Sequence, residues 1–197
     1  MEIDQRVSRR NENRAMAMMV VGGSGRGVGK TALICGLIAG LPEFRWTAVK
    51  ISRHAHQSAR VWEETEAGHE TDTARYLSAG AKRALLVSAP GDELQANEID
   101  SALASEANVI FESNWIVELL QPDISLAIFG RQDEVKSSFQ SFVRRADAIV
   151  MRLEMEREPA DVPGVPLFRL DDFGEIPPEM LAWLRGRLGA RASVDAD

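Results

Sequence analysis

Between Val20 and Leu33 the chain reads Val20-Val21-Gly22-Gly23-Ser24-Gly25-Arg26-Gly27-Val28-Gly29-Lys30-Thr31-Ala32-Leu33. An apolar run enters a turn dense in glycine, and a helical pattern leaves it with Gly29-Lys30-Thr31 at its start. A backbone bent in this way points successive N–H groups at one place in front of a helix N-terminus, where a phosphate is favoured. Side chains there would crowd the anion, so glycine recurs. The segment predicts a P-loop from Gly22 to Thr31 that holds the phosphates of a nucleoside triphosphate.

The mechanics of that loop assign roles to its residues. Gly23, Ser24, Gly25, Arg26, Gly27, Val28, Gly29, Lys30, Thr31 and Ala32 form the nucleotide-binding stretch; Lys30 reaches the β- and γ-phosphates, and the Thr31 hydroxyl takes one position on Mg2+. The strict pattern has glycine six positions before the lysine, and Ser24 stands there. Gly23 and Gly25 are expected to supply the turn, with the Ser24 hydroxyl as an extra phosphate donor. The competing reading is a glycine-rich surface turn beside a chance Gly-Lys-Thr.

Around the loop, strand-like runs alternate with helical patterns. Strands are expected over Ala17–Gly22, Trp46–Ile51, Ala84–Ser88, Asn108–Glu112, Ile124–Phe129, Ala148–Leu153 and Leu167–Leu170. Helices are expected over Lys30–Ala39, Asp72–Ser78, Asp100–Glu106, Trp115–Leu120, Val135–Arg145 and Pro178–Leu188. Parallel strands need crossover connections, so the alternation predicts an α/β fold: three layers, a mainly parallel sheet with helices on both faces. Ligands of such sheets bind beyond the carboxyl ends of the strands. A loop is expected from Pro159 to Pro166.

Length and composition bound the rest. A chain of 197 residues, 45% of them apolar, suffices for one buried core. We expect one nucleotide-binding domain over 15–188, with flexible segments at 1–14 and 189–197. The formal charge of −7 offers no basic footprint, so nucleic acid is not an expected partner. The apolar run from Ala15 to Val21 is too short to span a membrane and lacks a signal-peptide cleavage site. One cysteine, Cys35, cannot form an internal disulfide, and a cytoplasmic setting is expected.

Three residues outside the loop are candidates for the same chemistry. Glu112 ends the strand Asn108-Val109-Ile110-Phe111-Glu112, where a carboxylate holds magnesium or a water in its shell; the alternative is an exposed strand-end glutamate. Lys50 ends the second strand and is expected to point at the ligand edge. Asp72 either senses the nucleotide as a switch or caps the helix that it opens. Lys30, Glu112 and Asp72 are the expected catalytic residues, with Thr31 and Glu112 on the metal. Arg26 can serve as an arginine finger within the chain or across a dimer, and the strand end at Arg152 and Glu154 can touch the base. His54 and His56 form a His-x-His pair, with His69 downstream, but no third ligand is spaced for a metal site.

The loop, then Ala48-Val49-Lys50 with histidines after it, then Glu70-Thr71-Asp72-Thr73-Ala74-Arg75-Tyr76-Leu77-Ser78-Ala79-Gly80-Ala81, then Val109-Ile110-Phe111-Glu112, resembles the MobB family of molybdopterin-guanine dinucleotide biosynthesis proteins. These are P-loop NTPases of the signal-recognition and MinD-like class. The order matches from about Val20 to Glu112, and Leu167-Phe168-Arg169-Leu170-Asp171-Asp172 before a last helix is similar too. The resemblance implies a GTP-binding adaptor with feeble hydrolysis, partnering a molybdenum-cofactor guanylyltransferase, with a homodimer as an option. The family has glycine and an aromatic after the glutamate, where this chain has Ser113-Asn114-Trp115, and Ser52 and Arg53 separate Lys50 from His54. No Asn-Lys-x-Asp guanine reader is present, so GTP over ATP rests on the resemblance. Two other classes stay open: an ATP-dependent small-molecule kinase or ligase like dethiobiotin synthetase, and a partition or positioning ATPase, whose additional loop lysine is replaced by Gly25.

Overall fold

The computed structural model describes residues 17–52, 61–88, 103, 108–130, 137–155 and 164–192. In chain order these form β1 (Met18–Gly23), α1 (Lys30–Gly40), β2 (Thr47–Ser52), β3 (Val61–Glu64), α2 (Asp72–Ser78), β4 (Arg83–Ser88), β5 (Val109–Glu112), β6 (Ile124–Phe129), α3 (Ser137–Val143), β7 (Ala148–Arg152), β8 (Leu167–Leu170) and α4 (Pro178–Ala192). The eight strands make one sheet in the order β3-β4-β2-β5-β1-β6-β7-β8. Only β3 runs antiparallel to its neighbour.

Side-chain alternation sorts the core into two layers. Met19 and Val21 of β1, Ile110 of β5 and Leu126 of β6 point to a cluster with Leu33, Ile34 and Leu37 of α1, Tyr76 of α2, and Met180 and Leu184 of α4. Met18, Val20, Val109, Phe111 and Ala127 point the other way, to Phe139 and Phe142 of α3 and Ile116 and Val117. The sheet is therefore covered on both faces, and β1 can be apolar throughout because neither face meets water. Gly22 has a packing role: a Cβ there would come within 2.6 Å of the Phe142 ring.

The sequence-based elements differ from the structure most at Trp115–Leu120 and Val61–Glu64. Trp115–Leu120 was expected as a helix, and only a 3-10 turn, Ile116–Glu118, forms there. The Ser113 hydroxyl accepts from the Trp115 and Ile116 N–H groups at 3.1 and 3.2 Å, starting a tight turn that Pro122 then cannot extend. No strand was expected at Val61–Glu64, yet it forms the edge strand β3, held by Arg83, which donates to both Glu63 carboxylate oxygens at 2.8 and 2.7 Å. The helix α4 continues past Leu188 to Ala192. The expected helix at Asp100–Glu106, apart from Leu103, and most of the Pro159–Pro166 loop lie outside the described residues. Among the described residues no helix is long and apolar enough to cross a membrane.

From β1 the chain crosses to β2, which lies beyond β5; from β5 it crosses over β1 to β6. The loops leaving β1 and β5 thus diverge. A crevice is expected beyond the carboxyl ends of these two strands, where strand order reverses.

Candidate functional site

The loop after β1 supplies one wall of the crevice. Gly27 and Gly29 have φ of 73° and 103°, a left-handed conformation that side chains rarely adopt. A Cβ on Gly29 would also overlap the Phe173 ring, and one on Gly23 would approach Val28 Cγ2 within 2.6 Å. Gly29 caps α1 without any side-chain hydrogen bond, and no acidic residue occupies the first turn. The cap and first turn of α1 thus offer no side-chain cap to the helix's first N–H groups.

Two side chains pin the loop from outside. The Asn114 amide reads both polar groups of Gly23, accepting from its N–H at 2.7 Å and donating to its carbonyl at 2.9 Å. On the other side the Ser24 N–H donates to the Ile128 carbonyl at 2.9 Å, while its buried hydroxyl accepts from the Gly130 N–H at 2.9 Å. At the loop tip, Arg26 and Gly27 are exposed. Val28 is buried, and Ala32 packs partly against the core. Lys30 donates from Nζ to the Gly25 carbonyl at 3.2 Å.

The opposite wall is made of side chains from four elements. Glu112, 7% exposed at the end of β5, accepts on Oε2 from the Thr31 hydroxyl at 3.0 Å and from the Tyr76 hydroxyl. Its other oxygen faces Lys50 Nζ at 3.7 Å. Lys50, at its place on β2, is ion-paired with Asp72 of α2, and Arg75 Nη1 stands 3.8 Å from the second Asp72 oxygen. Asp72 does not cap its helix; Thr71 does, accepting from the Ala74 N–H at 3.0 Å.

Lys30, Thr31, Lys50, Asp72 and Glu112 are thus brought together. Lys50 and Arg75 stand beside the carboxylates of Asp72 and Glu112, and Lys30 is next to Thr31 in the chain. Burial first, and then the Glu112 charge, raise the Tyr76 hydroxyl well above its ordinary range, so it remains a proton donor. Burial also raises the Cys35 thiol, which lies against the Arg75 carbonyl at 3.6 Å. His69 is exposed in the turn before α2, and His54 and His56 lie outside the described residues. Arg152 stacks on Phe173 with its guanidinium 4.8 Å from the ring centroid, next to the loop's Gly29 side.

Sequence reasoning missed Tyr76, Asn114 and Phe173. Tyr76 had one available signal: it follows Asp72 by four positions in a helical pattern, which puts both on one face. Asn114 and Phe173 act through the fold alone.

No protein-family model matches the chain, and no curated protein matches it. Among solved structures, HypB from Helicobacter pylori in complex with nickel is similar over 98% of this chain and 94% of its own, with a TM-score of 0.60 and 15% identity. LpxK from Aquifex aeolicus, an "apo" form in complex with ATP, is similar over 90% of this chain and 67% of its own, with a TM-score of 0.53 and 18% identity. These likenesses bear out the three-layer α/β fold, a mainly parallel sheet with helices on both faces. A MobB protein homolog from Bacillus stearothermophilus is similar over 87% of this chain and 97% of its own at 17% identity, with a TM-score of 0.48. At these identities the fold alone is what the likenesses share.

Proposed function

We propose that this chain is a magnesium-dependent nucleoside triphosphate-binding protein with slow hydrolysis. One observation carries the reading: the Thr31 hydroxyl, first turn of the uncapped helix α1, meets the buried Glu112 carboxylate at 3.0 Å beside Lys30. The donor set fits magnesium. Thr31 and Glu112 are hard oxygen donors, and the glycines leave the loop free of side chains that would displace a phosphate. Bound magnesium would neutralise part of the triphosphate charge.

The chain's own groups then divide the work. The loop amides and Lys30 hold the phosphates, Thr31 and Glu112 hold the metal side, and Lys50 with Asp72 borders the terminal phosphate. Among the described residues none is assigned to orient an attacking water, and we expect turnover below the roughly 1 to 100 per second typical of kinases. The preference for GTP, a guanylyltransferase partner, a homodimer and a cytoplasmic setting rest on the resemblance to the MobB family and on the single cysteine.

Titration of labelled GTP and ATP, each with and without magnesium, tests the reading. Binding of either that depends on magnesium supports it, and binding of neither sinks it. A pull-down with a molybdenum-cofactor guanylyltransferase tests the adaptor role. Fast turnover that appears only with a small-molecule acceptor would favour a kinase instead.

A further inference from the structure

We propose that Tyr76 is a positioning residue: through α2 it fixes the Glu112 carboxylate in the orientation that a divalent cation requires. The inference deepens the magnesium-nucleotide reading and rests on it.

Glu112 lies at the end of a short strand, and a glutamate side chain there has three torsions to settle. Its Oε2 is held by two hydroxyls, Thr31 on α1 and Tyr76 on α2. With that oxygen anchored, Oε1 is the atom turned toward Lys50. Thr31 belongs to the loop and answers to the ligand, whereas the Tyr76 ring is fully buried among core residues and is fixed by packing. Tyr76 is therefore the anchor that does not move with the ligand.

The same helix acts on Oε1. Asp72, one turn before Tyr76, is ion-paired with Lys50 and draws it off Glu112, which it approaches only to 3.7 Å. Without Asp72, Lys50 would settle on Oε1 and compete with a cation. Two residues on one face of α2 thus serve both oxygens: Tyr76 orients the carboxylate, and Asp72 keeps Lys50 from closing on its other oxygen.

Tyr76→Phe keeps the buried ring and removes only the hydroxyl. The test measures the magnesium concentration for half-maximal binding of mant-labelled GTP and ATP by the full chain, in the parent, Tyr76→Phe, Glu112→Gln and the double variant. Tyr76→Phe should raise that concentration by roughly tenfold, the scale of losing a group that orients a metal ligand. In the Glu112→Gln background it should add nothing, because the charge it orients is gone. An unchanged half-saturation, even with lower unfolding stability, would assign Tyr76 a purely structural role; an equal rise in both backgrounds would place its action elsewhere. Either result overturns the inference while leaving nucleotide binding intact. Failure of the parent to bind either nucleotide removes the underlying reading and this inference with it. A second measurement needs no variant. Tyr76 is the chain's only tyrosine, so a parent labelled with 13C at tyrosine Cζ gives one signal. That signal should shift when magnesium joins the nucleotide complex and stay unmoved with nucleotide in EDTA; no magnesium-dependent shift overturns the inference.

Discussion

The two walls of the crevice are built on different physical principles. On the β1–α1 side the working groups are backbone amides, and the side chains nearby serve from outside, Asn114 and Ser24 pinning the loop. On the β5–α2 side the working groups are side chains that hold one another, with Glu112 joined to Thr31, Tyr76 and Lys50. A backbone wall fails when a Cβ has no room, and its failure reaches the fold. A side-chain wall fails by losing a charge or a proton, and the fold survives.

The largest effect should come from breaking the backbone wall. Gly29→Val combines a φ of 103° with overlap of the buried Phe173 ring. A β-branched residue cannot relieve either, so we expect destabilisation of about 3 kcal/mol or more, seen as a lower urea midpoint. A midpoint within about 0.5 kcal/mol of the parent would mean that the loop tolerates side chains, contrary to the contrast drawn above.

Lys30→Ala sharpens the comparison, because it takes a side chain from the backbone wall. Lys30 is half-buried against its own loop, with Nζ on the Gly25 carbonyl. Its removal should weaken triphosphate binding by about a hundredfold, roughly 2.7 kcal/mol, while unfolding stability changes by less than about 0.5 kcal/mol. Equal affinity in mutant and parent would detach the lysine from the ligand.

Glu112→Gln probes the side-chain wall. The amide oxygen can still accept from Thr31 and Tyr76, but its NH2 then faces Lys50, donor against donor. We expect a folded protein whose hydrolysis falls about tenfold, equivalent to roughly 1.4 kcal/mol of transition-state stabilisation, with weaker magnesium dependence. Superimposable rate curves against magnesium would reject the metal-side role.

The walls also differed in how far the sequence revealed them. The loop is contiguous, so Gly22 to Thr31 announces itself, and buried strands such as Met18–Gly23 stand out because apolarity on both faces leaves a continuous run. That Glu112 is buried and bonded to Tyr76 depends on β5 lying between β1 and β2, a pairing that no local pattern encodes. The edge strand β3 escaped because Val61-Trp62-Glu63-Glu64 has no apolar run; its partners are Arg83 on β4 and the hydroxyls of Thr71 and Thr73, which donate to Glu64. Charged edges of this kind resist wrong pairing and for the same reason hide from hydrophobic patterning.

The smallest effect belongs to a pair far from both walls and serves as their control. Glu43, in the 3-10 turn Pro42–Phe44 that follows α1, accepts from Arg185 Nε at 2.6 Å, and Arg185 also donates to the Gly40 carbonyl at 2.9 Å. The length of α1 separates this pair from the loop, so neither nucleotide affinity nor magnesium dependence should respond to Glu43→Gln. Its effect should appear only in stability, and only in part of the pH range. The Arg185 hydrogen bond lowers the Glu43 carboxyl below its ordinary value in the folded chain. A lowered folded value means that the stabilisation is present above the unfolded value and is lost as pH falls through the folded one. Both side chains are 47% exposed, so solvent screening holds the contribution to about 0.5 kcal/mol or less at neutral pH. Urea unfolding of parent and Glu43→Gln should show this small gap at about pH 7 and a shrinking one as pH falls through the acid range; a gap that does not shrink would mean that the carboxylate charge is not its source.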